Sequence, residues 1–224
     1  MIPARGKSFF CSWSGGKDSC LALYCAIQAG AVPRALLTML TRDGARSRSH
    51  GLPVSVLNHQ ALALKIPLVV RESSWDDYEQ NFTEIIHRFR KEGMVYGVFG
   101  DIDLEDHFQW VERVCSAVGI RACEPLWKRP RRELMEKFFN AGFSATIIAV
   151  KEGVLDRGFL GRTLDRDLVR DLEKTGIDAS GEEGEYHTVV TNGPIFRREI
   201  PLEQGKSTLR GGYSFLEISV ASTP

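Results

Sequence analysis

Ser14-Gly15-Gly16-Lys17-Asp18-Ser19 is the stretch of this chain best equipped for chemistry. An apolar run, Ser8 to Trp13, precedes it, and a helical-looking segment, Cys20 to Ala29, follows. A strand, a glycine-rich turn and a helix in that order aim several backbone N–H groups at one point. The helix dipole adds partial positive charge there. The two glycines let a phosphate approach the backbone closely. Lys17 adds a full charge, and Ser14 and Ser19 add hydroxyl donors. The direct reading is an anion-binding loop.

A second cluster, Ser180-Gly181-Glu182-Glu183-Gly184-Glu185-Tyr186-His187-Thr188, stands far from the first in sequence. Composition alone reads it as a solvated acidic turn entering a strand. Alternation along that strand would put Glu185 and His187 on one face and Tyr186 and Thr188 on the other. Glu185 and His187 are therefore candidates to contact one ligand together.

The elements that must position these residues follow from hydrophobic periodicity. In the first half, strands are expected at 8–13, 34–40, 66–71 and 94–99, and helices at 20–29, 53–65, 75–91 and 108–118. Tyr78, Phe82, Ile85, Ile86 and Phe89 recur at helical spacing. Strands separated by helices predict a parallel sheet covered on both faces. Ligands of such sheets bind at the carboxyl ends of the strands. The Ser14–Ser19 loop, the segment Thr38 to Arg42 and Gly100-Asp101-Ile102-Asp103 should all end on that edge. The second half differs, with helices at 131–141 and 165–175 and extended segments at 145–150, 186–190, 195–200 and 213–220. The expected fold class is α/β: a parallel-sheet domain over residues 1–124 and a smaller α+β lobe over 125–224.

Bulk properties narrow the function classes. Hydrophobic residues make up 43% and charged residues 26% of 224 positions, enough for a soluble globular protein with a real core. Lys plus Arg and Asp plus Glu number 29 each, so no broad nucleic-acid footprint is expected. No apolar run is long enough to span a membrane, and no signal-peptide pattern opens the chain. Cys11, Cys20, Cys25, Cys115 and Cys123 are odd in number and lack C-x-x-C spacing. They read as reduced thiols of a cytoplasmic protein, and no protein-built metal site is indicated.

The loop is not a Walker A sequence, because Cys11 stands where that pattern needs its first glycine and Asp18 where it needs Ser or Thr. Its shorter form resembles the PP-loop of the N-type ATP pyrophosphatases, which implies an adenine nucleotide alpha hydrolase-like domain that cuts ATP between its α- and β-phosphates. Further segments make the resemblance specific: Phe99-Gly100-Asp101-Ile102, Pro125-Leu126-Trp127, Phe159-Leu160-Gly161, Gly181 to Thr188, and Gly193-Pro194-Ile195-Phe196. Together they resemble the diphthine–ammonia ligase family over residues 8 to 200.

That resemblance implies a ligase that adenylates a carboxylate of diphthine, a modified histidine of elongation factor 2, and amidates it with ammonium. ATP and Mg2+ are the implied cofactors, and AMP and pyrophosphate the products. Ser14, Gly15, Gly16, Lys17 and Ser19 would cradle the pyrophosphate, with Asp18 orienting the loop or meeting Mg2+ through water. Thr38, Met39 and Leu40 would frame the adenine, His50 would lie near the nucleotide, and Gly100 and Asp101 would approach nucleotide or substrate. Glu182, Glu185 and His187 would bind substrate or ammonium. Lys17, Asp18, Glu185 and His187 would carry the catalysis. Ile2 stands where a glutaminase nucleophile would be Cys, so free ammonium is the expected nitrogen source. Two-lobed PP-loop proteins often dimerise, which leaves a homodimer open. Two alternatives also stay open: a PP-loop enzyme acting on another small molecule or a tRNA in a bacterial host, and a non-catalytic module that binds adenine nucleotide.

Overall fold

The computed structural model describes residues 1–221. Two compact units are present. The first comprises Met1–Ser14, Asp18–Ser49 and Lys65–Arg129; the second comprises Gly15–Lys17, His50–Leu64 and the chain from Pro130 onward.

The first unit is built on a five-stranded parallel sheet of β1 (Ser8–Ser12), β2 (Val32–Leu40), β3 (Leu68–Glu72), β4 (Tyr96–Val98) and β5 (Arg121–Cys123). The strand order is β3-β2-β1-β4-β5. Phe9, Phe10 and Cys11 of β1 are all buried, as expected of a strand covered on both faces. Phe10, Ala35, Leu37 and Met39 pack with Phe82, Ile85, Ile86 and Phe89 of α3 (Tyr78–Lys91). Val111, Val114 and Cys115 of α4 (Glu105–Ala117) complete that layer. Phe82 sits among Phe10, Phe99 and Trp110 at ring distances of 5.1–6.4 Å. Truncating so buried a ring to Ala costs about 3–5 kcal/mol. In this strand order the connections run to opposite sides of β1 and β4, so the switch point lies between those two strands. Open α/β sheets bind ligands outside the carboxyl ends at such a point.

The second unit holds an antiparallel sheet in the order β7-β6-β9-β8, from β6 (Ser144–Lys151), β7 (Tyr186–Asn192), β8 (Leu202–Arg210) and β9 (Tyr213–Val220). Its helices are α2 (Val54–Leu64), α5 (Arg131–Asn140) and α6 (Arg166–Lys174). Asp165 caps α6 by accepting the Leu168 N–H at 2.7 Å. Gly211 and Gly212, both at positive φ, make the two-residue turn between β8 and β9.

The expected class, an α/β parallel-sheet domain with a smaller α+β lobe, is the architecture found. Individual elements depart from expectation. Helix α1 (Lys17–Gln28) begins at Lys17 rather than Cys20, so the lysine already sits on the helix. β5 and β8 were not anticipated; β5 is short, and β8 is exposed along most of its length, so neither shows a hydrophobic alternation. Residues 195–200, expected to be extended, are irregular, with a turn at the start and a bend at 197–198.

Candidate active site

Within the first unit, β1 delivers the chain to the loop through two fixed bonds. Trp13 N–H donates to the Leu37 carbonyl at 2.8 Å, and Thr38 Oγ1 donates to the Trp13 carbonyl at 2.6 Å. Ser14 Oγ and Ser19 Oγ then meet at 3.0 Å, while Asp18 occupies the first turn of α1. Hydroxyls at a helix N-terminus suit a polyphosphate. Gly100 runs against this turn so closely that an added Cβ would lie 2.9 Å from Asp18 C and Ser19 N. Only glycine lets the exit of β4 pass there. Asp101 Oδ1 is 3.3 Å from His107 Nδ1, and that hydrogen bond raises the His107 pKa. Thr38, Met39 and Leu40 are buried in β2. The Met39 and Leu40 carbonyls accept the N–H groups of Arg48 and Ser73.

Gly15, Gly16 and Lys17 make contacts within the second unit. The Gly15 carbonyl accepts Val190 N–H at 3.0 Å and Gln60 Nε2 at 2.9 Å. Gln60 Nε2 also donates to the Val190 carbonyl at 2.8 Å. Both partners are acceptors, so the amide orientation of Gln60 is fixed. Lys17 N–H donates to Thr188 Oγ1 at 3.1 Å. A Cβ on Gly15, whose φ is +79°, would fall 2.5 Å from Gln60 Oε1; one on Gly16 would fall 2.3 Å from His50 Cε1. The loop therefore needs both glycines to be held by its neighbours, quite apart from any ligand.

Lys17 Nζ pairs with Glu182 Oε1 at 3.0 Å, with side chains only 7% and 12% exposed. His50 Nδ1 lies 3.2 Å from the Thr188 carbonyl. Facing an acceptor, that nitrogen carries the proton, which puts the lone pair of the neutral ring on Nε2. Burial, with the Lys17 charge adding to it, pushes His50 down to about 4. His187 is stacked between His50 and Tyr213, at ring distances of 4.7 and 5.3 Å. Glu185 is buried and accepts Glu183 N–H at 3.0 Å, and Tyr213 Oη donates to the Gly184 carbonyl at 2.8 Å. Glu185 thus organises its own turn, and burial raises the Tyr213 pKa, with the Glu185 charge adding to it.

The second unit therefore brings Lys17, His50, Glu182 and His187 around Thr188, and it ties Glu185 into the backbone of the 183–185 turn. Among the described residues, no group of three or more His, Cys, Asp or Glu side chains is arranged to hold a metal ion. Among those residues, no helix is long and apolar enough to cross a membrane.

Residues 7–122 match the family described as Diphthamide synthase N-terminal domain, and residues 130–223 the Diphthamide synthase C-terminal domain. The chain belongs to the diphthamide synthase family. It is 25% identical to the human diphthine–ammonia ligase over 231 residues, covering 92% of this chain and 86% of the human one. The zebrafish (Danio rerio) protein of that name is 27% identical over 229 residues, covering 92% and 90%. The Schizosaccharomyces pombe protein is 27% identical over 212 residues, covering 84% of this chain and 35% of its own length. Among solved structures, a predicted subunit of tRNA methyltransferase from Methanocaldococcus jannaschii aligns with 87% of this chain at 15% identity and a TM-score of 0.45.

Three contributors in this diphthamide synthase family member escaped the sequence reading. Thr188 was in the cluster but had no role; its hydroxyl takes the Lys17 amide. Gln60 is a polar residue on the buried stripe of α2, spaced from Val56 and Leu57 as core residues are. That placement was the available signal. Tyr213, which completes the ring stack, carries no local signal at all.

Proposed function

We propose that the chain is an ATP-dependent amide ligase that activates a carboxylate as its adenylate and amidates it with ammonium, releasing AMP and pyrophosphate. The acceptor is diphthine on elongation factor 2. What carries this reading is the match of both diphthamide synthase domains, in order, along one chain whose Ser14–Ser19 loop is equipped for phosphate.

A carboxylate oxygen attacks the α-phosphorus of ATP, and the bond to the β-phosphate breaks as pyrophosphate departs. Charge grows on the leaving group. Lys17, the Ser14 and Ser19 hydroxyls and the N-terminus of α1 stabilise it. Mg2+ would need few protein carboxylates beside the phosphates and water. Asp18, in the first turn of α1, is the carboxylate that suits it, and the ion would supply charge neutralisation on the phosphates. The chain segment Thr38–Leu40 receives the adenine, and His50, Gly100 and Asp101 serve nucleotide or substrate. Ammonia then attacks the acyl carbon, a C–N bond forms, and the C–O bond to AMP breaks. On the second unit, Glu182 and His187 contact acceptor or nitrogen donor, and Glu185 positions the turn that presents Glu182. The Lys17–Glu182 ion pair is the bond that phosphate binding must loosen.

Pyrophosphate release tests the reading, with unmodified or diphthine-bearing elongation factor and with or without ammonium. Release should require the diphthine-bearing protein, and amide should require ammonium as well. Lys17→Ala should abolish release while circular dichroism stays that of the folded protein. ADP and phosphate as products would overturn the proposal.

A further inference from the structure

Glu124 follows β5 directly. Val98 and Cys123 are register partners, and Phe99 N–H donates to the Cys123 carbonyl at 2.9 Å. Glu124 therefore leaves the sheet at its carboxyl edge, beside Phe99-Gly100-Asp101, next to the switch point. The turn after it is fixed by Trp127 N–H to the Glu124 carbonyl at 3.3 Å and Lys128 N–H to the Ile102 carbonyl at 2.6 Å. Phe108 stacks on Trp127 at 4.4 Å. Glu124 is 4% exposed, and its Oε1 is buried without a hydrogen-bond partner. Buried carboxyl oxygens are almost always satisfied, so an unmet one at a ligand-binding edge calls for an occupant.

Ionised Glu124 only accepts, so the occupant of that form is a donor. The charges around Glu124 also favour a cation. Asp101 comes from the loop after β4, and Glu105 and Glu112 come from α4; all three act on Glu124 as negative charges, opposed by the chain's N-terminal ammonium. Cys115 and Cys123 are the nearby thiols, and burial keeps both protonated. His107 shares Asp101, and Lys128 pairs with Glu105 at 3.4 Å. Divalent metals want more ligands than the described residues group together here. A monovalent ion with several N–H donors needs only one or two carboxyl oxygens.

We propose that Glu124, assisted by Asp101, is the ammonium site of the ligase and the base that converts ammonium to ammonia. This rests on the amide-ligase reading above. One proton passes from ammonium to Glu124 Oε1. The freed nitrogen lone pair forms the C–N bond to the acyl carbon, while the C–O bond breaks and its electron pair leaves with AMP. The second proton, from the newly bonded nitrogen, goes to solvent, and Glu124 later returns its own to solvent. Burial, reinforced by Asp101 and Glu112, raises the Glu124 pKa to about 8, so its basicity suits a cation that holds its proton tightly.

The test compares the full-length protein with its Glu124→Gln variant in four measurements: acceptor-dependent ATP–pyrophosphate exchange without ammonium, amide formation against ammonium concentration, hydroxamate formation with hydroxylamine, and thermal stabilisation by ammonium chloride relative to sodium chloride. Hydroxylamine is uncharged near neutrality and needs no base to free its lone pair. Exchange and hydroxamate formation should be alike in both proteins. The KM for ammonium should rise roughly tenfold or more in the variant, the scale of one charge-assisted hydrogen bond. The wild-type kcat/KM for ammonium should climb through about pH 8 as Glu124 ionises, and the variant should lack that limb. An ammonium-specific stabilisation should be present only in the wild type. Equal ammonium KM values and pH profiles would overturn the proposal, as would equal losses with ammonium and hydroxylamine. Ammonium-specific stabilisation of the wild type alone, without exchange for any acceptor, would support the ammonium site and overturn the ligase reading.

Discussion

Gln60→Leu should both destabilise the protein and loosen the phosphate loop. Gln60 is fully buried, and its amide nitrogen bridges the carbonyls of Gly15 and Val190 at 2.9 and 2.8 Å. Leucine matches it in size but donates nothing. Losing a bond to a carbonyl that keeps another donor costs about 1 kcal/mol net, and losing one that deprives a buried carbonyl costs about 1–3 kcal/mol in all. Gly15 O keeps the Val190 N–H, so the larger penalty falls on Val190 O. The sum is about 2–4 kcal/mol, which for a chain of this size lowers Tm by roughly 5–15 °C. Gln60→Glu sharpens the test. An ionised carboxylate would face two carbonyl oxygens, so this variant should be worse than Gln60→Leu near neutrality. It should recover as pH falls, because the protonated acid donates one bond. Differential scanning fluorimetry across pH, with and without AMP, reads both effects. A Gln60→Leu protein within about 0.5 kcal/mol of wild type, with unchanged nucleotide affinity, refutes the reasoning.

Gly16→Ala should weaken nucleotide binding and cost some stability, since the added methyl would start 2.3 Å from His50 Cε1 and 3.1 Å from the Thr188 carbonyl oxygen; isothermal titration with ATP measures the binding, and unchanged affinity counts against the loop geometry. His50 should make the protein acid-labile. Its folded pKa, about 4, lies below the unfolded value of 6.5, so the unfolded state binds more protons between them and stability falls as pH drops through that window. His50→Gln should flatten that slope in urea midpoints measured across the window; an unchanged slope assigns the acid lability elsewhere. Glu182→Gln should tighten pyrophosphate binding a few-fold, because it weakens the buried 3.0 Å competitor for Lys17, and a loss of affinity contradicts that view of the ion pair.

Local signals in the sequence were enough to place most of the first sheet and the loop between β1 and α1. Strands β1 to β4 each carry an apolar run, and glycine and lysine follow β1 at the point where the chain turns. β5 is too short to display a period, and β8 is a polar edge strand whose pairing with β9 is set by the Gly211-Gly212 turn rather than by burial. The site divided along the same line. Ser14 to Ser19 and Gly181 to Thr188 were visible as clusters, because glycines and charges crowd together there. Gln60, Tyr213 and Glu124 were not, because their importance lies in contacts made by single residues of unexceptional neighbourhoods. Nothing local marks Glu124, set between Cys123 and Pro125, as a carboxyl without a partner.

The bond from Lys17 N–H to Thr188 Oγ1 joins residues 171 positions apart. It and the Val190–Gly15 bond tie the middle of the Ser14–Ser19 loop to a strand that is synthesised much later. Chains emerge from the ribosome N-terminus first. A nascent chain thus displays the whole Ser14–Ser19 motif long before its fasteners exist, and the loop is finished only when β7 has emerged and paired. Chains that stop before β7 would carry the motif without the fixed loop, so this protein postpones its readiness for nucleotide until some 171 further residues have been made.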